Sequence, residues 1–167
     1  MGIRILRESA SGSRTAGMAV LAGESIVPGI VIVQDDNTTV KVFTGTALAP
    51  LGLALDSNVQ FPSQATAPDV TAGAGFDYLN YNRQGLVAAI TGDAEVELYD
   101  DLRDTSTAGA SHPVDHTQAY VVGAPLFADT TTGRVTSVVG SNKAIGRCTG
   151  IDGSGATMVV RMIVNII

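Results

Sequence analysis

The 167 residues amount to one domain, enough to bury about 70% of the surface that the unfolded chain exposes. Sixteen acidic residues against ten basic ones leave a net charge of -6, which excludes a protein that grips duplex nucleic acid through a broad basic face. Nineteen glycines, no tryptophan and only six lysines and glutamates (Lys41, Lys143, Glu8, Glu24, Glu95, Glu97) mark a chain poor in the side chains that coat surface helices, so the composition predicts an all-β fold.

Residues 1–17 read as a flexible basic arm. Arg4, Arg7 and Arg14 face a single acid, Glu8, and Ile3, Ile5 and Leu6 alternate with them before a Ser/Gly/Ala stretch. The rest, 18–167, reads as one β-barrel domain of short strands and turns. Residues 30–33 are continuously apolar and end at Asp35-Asp36-Asn37. Val40, Val42 and Thr44 alternate with Lys41 and Phe43, and Leu51, Leu53 and Leu55 are placed on one face. Residues 57–75 and 100–118 read as two long loops. Between them, segments 78–81 and 86–91 flank a hairpin-like connection. Ala94, Val96 and Leu98 then face inward while Glu95, Glu97 and Tyr99 face out. Met158, Val160, Met162, Val164 and Ile166 share one face of a final strand.

Gly29, Asp35 and Gly52 recur 94 residues later as Gly123, Asp129 and Gly146, which suggests a half-repeat over 25–56 and 119–150. Two halves of this kind suit a small β-barrel, closed or partly open, because closure removes exposed sheet edges. The expected architecture is that barrel with two long loops and an extended N-terminal arm.

Catalytic motifs are missing. Gly140-Ser-Asn-Lys-Ala-Ile-Gly lacks the spacing of a phosphate loop, and Gly153-Ser-Gly reads as a turn before the last strand. Cys148 lies in an apolar run and reads as a core residue; a lone thiol makes no internal disulfide. His112 and His116 flank Asp115, but Pro113 breaks any helix that would align them, so they read as a polar loop. Asp100, Asp101 and Asp104 lack the glycine-centred ladder of a calcium loop. Tyr78, Tyr81, Tyr99 and Tyr120 read as packing residues. No apolar run reaches the roughly 20 residues that cross a bilayer, and 16–22 is short and glycine-punctuated for a signal segment. The expectation is a protein that is not an enzyme, made in the cytoplasm, with no cofactor, no metal, no nucleic acid and no membrane partner.

Four stretches in order carry a resemblance. They are Gly85-Leu-Val-Ala-Ala-Ile-Thr-Gly-Asp-Ala-Glu-Val-Glu-Leu, Val122-Gly-Ala-Pro-Leu-Phe-Ala-Asp-Thr-Thr-Thr-Gly-Arg-Val-Thr, Ala144-Ile-Gly-Arg and Ala156-Thr-Met-Val-Val-Arg-Met-Ile-Val. Together they resemble the head decoration (capsid cement) proteins of tailed bacteriophages over residues 18–167. The resemblance implies a structural virion protein on the outer surface of the expanded head. Such a protein bridges subunits of the major capsid protein, stabilises the shell, and assembles as a homotrimer. On that expectation Ile3, Arg4, Ile5, Leu6 and Arg7 form the capsid-binding arm, pairing with a coat strand or groove by strand addition. The alternatives are a tail or fibre-base structural protein and a stand-alone ligand-binding β-barrel.

Overall fold

The computed structural model describes residues 2–8, 14, 15, 17–24, 26–55, 86–99 and 113–166. The fold is all-β, in two six-stranded sheets. The strands are β1 (Gly2–Glu8), β2 (Met18–Val20), β3 (Val31–Gln34), β4 (Thr39–Val42), β5 (Gly52–Ala54), β6 (Leu86–Val87), β7 (Ala89–Ile90), β8 (Gly92–Tyr99), β9 (Pro125–Ala128), β10 (Val135–Thr136), β11 (Lys143–Asp152) and β12 (Val159–Asn165).

One sheet has the order β6-β2-β4-β3-β5-β7. Its two terminal strands are consecutive in the chain and separated only by Ala88. Met18 pairs with Val87 at one end of this segment, and Leu53 pairs with Ile90 at the other. The sheet therefore curls until both of its edges meet on residues 86–90, giving a small barrel with no free edge there. Ile26, Ile30, Ile32, Val40, Ala54, Val87 and Ala89 fill its interior. The outward side chains Val31, Val33, Phe43, Leu53 and Ile90 are also buried, because the other sheet packs over them.

That sheet has the order β1-β8-β12-β11-β9-β10 and is antiparallel throughout. Its inner face presents Ala94, Val96 and Leu98 from β8 and Val160, Met162 and Val164 from β12, all buried, as the period-2 alternation predicts. The leucines of 51–55 depart from expectation. Leu53 and Leu55 pack on the core between the sheets, whereas Leu51 packs with the barrel interior. A strand buried on both faces has no polar side to fix its phase.

Two segments 94 residues apart make the same backbone hydrogen bonds. Gly29 N donates to Ala54 O at 2.7 Å, and Gly123 N to Cys148 O at 2.8 Å. Ala54 N donates to Ile30 O, and Cys148 N to Ala124 O, each at 2.9 Å. Leu21 N donates to Val40 O, and Asp115 N to Val135 O, again each at 2.9 Å. The parallel pair Val20 with Val40 has its counterpart in the parallel bridge Val114 with Val135. Each copy thus builds a strand, a turn, a second strand and a return to the far side of the first. Both turns are closed by an aspartate carboxylate that accepts two backbone N–H groups, Asp36 from Thr38 and Thr39, and Asp129 from Thr131 and Thr132. Those donors hold the Asp36 carboxyl at about 2, below its usual value. The second turn is one residue longer, so Asp129 aligns with Asp35 by sequence and with Asp36 by bonding.

In the second copy Tyr120 is a buried tie. Its phenol lies 3.0 Å from Asp115 O and 2.9 Å from Val135 O, so one hydroxyl proton is shared by two carbonyls. Burial raises the phenol pKa, so it stays protonated. Tyr120→Phe removes one donor from two carbonyls that each keep a backbone donor, and is expected to cost about 0.5–1.5 kcal/mol in urea unfolding; an unchanged midpoint would contradict the tie.

Candidate interaction surface

Residues 2–8, expected as part of a reaching arm, form β1, the outermost strand of the open sheet, paired antiparallel to β8. Residues 9–13 and 16 lie outside the described residues. The register explains why the segment folds back. Arg4 falls opposite Glu97 and Arg7 opposite Glu95, while Ile3 and Ile5 turn inward and pack at the margin of the core. A bulge between Ile5 and Arg7 accommodates Leu6, which stays 38% exposed. The five residues expected to work as one binding element are therefore divided: two isoleucines face in, two arginines face out, and one leucine sits at the bulge.

The outer face of this sheet carries a charge ladder. Glu97 accepts from Arg4 Nη2 at 2.6 Å and from Arg161 Nε at 2.9 Å, so one carboxylate lies between guanidiniums from β1 and β12. Glu97 is only 8% exposed, although the alternation makes it an outward residue. The guanidiniums of Arg4 and Arg161 flank it, and the opposite charges offset the cost of its burial. Arg161 in turn is held charged above its usual range by hydrogen bonding to Glu97. Glu95 takes Arg7 Nε at 3.2 Å and the Thr149 hydroxyl at 3.0 Å. At the end of β1, Glu8 pairs with Arg14 Nε at 2.6 Å. Exposed pairs of this kind add little stability each, but several across neighbouring strands fix the register of β1.

Next to this ladder lies a patch that sequence reading passed over. Arg147 on β11 falls between Ile163 of β12 and Pro125 of β9. Its Nη1 donates to Gly123 O at 2.9 Å, at the turn that carries Val121 and Val122. An isoleucine at the outward position 163 of an alternating strand was the available signal. Among the described residues β1 pairs on one side only, with β8.

The polar loop residues do not assemble a chemical centre. His116 sits on a turn in which Asp115 accepts from Thr117 N and Oγ1. Among the described residues there is no group of three potential metal ligands. His112, Asp100, Asp101 and Asp104, with Tyr78 and Tyr81, lie outside the described residues. Cys148 is buried, and burial raises its thiol pKa. It is expected to react with a thiol reagent only on unfolding, so stoichiometric labelling of the native chain would contradict this packing. No helix among the described residues is long and apolar enough to cross a membrane. Between the 46–50 segment and Lys143, Ala144 and Asn165 runs a shallow groove of about 420 Å³, lined by threonine, alanine, leucine and proline with one lysine. Comparison of the chain with protein-family models and with curated proteins gives no match.

Proposed function

We propose that the chain is a structural virion protein, a capsid decoration or cement protein that binds the outer surface of the expanded head of a tailed bacteriophage. In this reading it bridges subunits of the major capsid protein and associates as a homotrimer. The observation that carries the reading, beside the sequence resemblance, is β1. The segment expected to engage the coat is an edge strand that pairs on one side only among the described residues, with arginines and an exposed leucine along it. An edge of this kind takes an added strand without any rearrangement of the core. A barrel interior filled by aliphatic side chains suits a rigid spacer better than a ligand carrier. Weak contacts repeated over many lattice sites add by avidity, and binding confined to the expanded shell stabilises that state by mass action.

The test is co-sedimentation of the purified chain with expanded and unexpanded heads that lack it. Saturable binding to the expanded form alone is expected; binding to neither form would remove the reading.

A further inference from the structure

The two copies of the turn that precedes β3 and β9 differ in what covers them. In the first, a β-carbon placed on Gly29 would meet Pro113 and Leu98, and Val27 is 6% exposed. In the second, Gly123 has nearly the same φ, +89° against +87°, and the turn makes the same hydrogen bonds. Yet nothing among the described residues lies within 4 Å of a β-carbon placed there, and Val121 and Val122 are 64% and 60% exposed. Among the described residues, one local structure is roofed by protein in one copy and uncovered in the other.

The bare turn continues into the outer face of the open sheet through Arg147, with exposed Pro125 and Ile163 on either side of it. Aliphatic side chains gathered around an arginine have the character of a protein interface rather than of free surface. Arg4, Arg7 and Arg161 are each satisfied by Glu95 or Glu97, whereas Arg147 has no carboxylate partner among the described residues.

We propose that Val121, Val122, Pro125, Arg147 and Ile163 form a second surface, beside the β1 edge, that docks on the coat lattice, with the coat supplying an apolar side chain over the Gly123 turn and a carboxylate to Arg147. This rests on the cement reading. Charge selects the occupant. Arg4, Arg7, Arg161 and Arg147 stand against only Glu95 and Glu97 on this face, and Arg147 is the one of the four with no carboxylate partner among the described residues, so it complements an acidic residue. A second copy laid isologously on the same patch brings two Arg147 side chains toward one axis; a head-to-tail contact between copies is the outcome that the oligomer arm of the experiment detects. Nucleic acid is disfavoured because the chain as a whole carries a net charge of -6 and the aliphatic side chains around Arg147 offer phosphates nothing.

The experiment adds the full chain, Val122→Asp, Arg147→Glu and the distant turn variant Asn37→Lys to expanded heads lacking the protein, and counts bound copies by mass spectrometry. Each patch variant is expected to lower occupancy about tenfold, the effect of losing one anchor residue. Asn37→Lys is expected to match the parent, and all variants to keep the parent's thermal melt. Parent binding with equal binding by both patch variants overturns this assignment alone. Failure of the parent to bind overturns the cement reading together with it. Loss of an oligomer of the free chain in Val122→Asp, or of duplex DNA binding in Arg147→Glu, gives the patch a different occupant and overturns the assignment.

Discussion

Alanine at Gly146 is expected to lower the unfolding free energy by roughly 2–4 kcal/mol. Gly146 lies in β11 opposite Val164, at a point where the chain crosses β12 so closely that a β-carbon would fall on the carbonyl oxygen of Ile163, with Met162 Cε 2.8 Å away. The carbonyl belongs to a strand whose inner side chains are fully buried and whose other neighbour is β8, so the backbone cannot retreat without lifting Met162 and Val164 out of the core. Gly52 stands in the same relation to the carbonyl of Ile90, at the matching place in the first copy, and its alanine variant is expected to lose a similar amount. Gly92, with no described residue within 4 Å of a β-carbon placed there and no left-handed φ, serves as the control and should change by less than about 0.5 kcal/mol. Urea unfolding followed by circular dichroism separates the three. A Gly146→Ala midpoint as high as the parent's would mean that β11 and β12 do not approach in this way.

Deleting residues 1–14 is expected to abolish binding to expanded heads and to cost roughly 2–4 kcal/mol of stability. The stability loss follows from the fold. The half-buried Ile3 and Ile5 leave the core margin, and Glu97 and Glu95 lose Arg4 and Arg7. The remaining sheet then ends at β8, which is still held by β12, so the body is expected to stay folded below a lowered melting temperature. The binding loss follows from the proposed role of the β1 edge. A deleted chain that remains folded and still fills the shell would take the binding function away from this strand.

The parts of the fold legible in the sequence are those fixed by neighbouring residues. The alternation over 94–99 sorts Ala94, Val96 and Leu98 from Glu95, Glu97 and Tyr99, and that over 158–166 does the same for the last strand, because a sheet with one solvated face imposes a period of two. The spacing of Gly29 and Gly52, and of Gly123 and Gly146, reflects backbone needs that only glycine meets, and it reappears in matched hydrogen bonds. What the sequence hides is set by partners far along the chain. Nothing near Arg4 and Arg7 announces that Glu97 and Glu95 will stand opposite them, so a docked edge strand reads as a loose basic arm. Glu97 reads as a solvated charge because the guanidiniums that pair with it come from β1 and β12. The exposed patch at Val121, Val122, Arg147 and Ile163 is drawn from three separate stretches and takes shape only once β9, β11 and β12 are side by side.

The central claim is that this protein coats a shell in many copies. The direct measurement is the amount of the chain relative to the major capsid protein in purified particles of its source, by quantitative mass spectrometry. A ratio of one, or a simple fraction of one set by the lattice positions occupied, is the predicted result. A handful of copies per particle, or none, would contradict it.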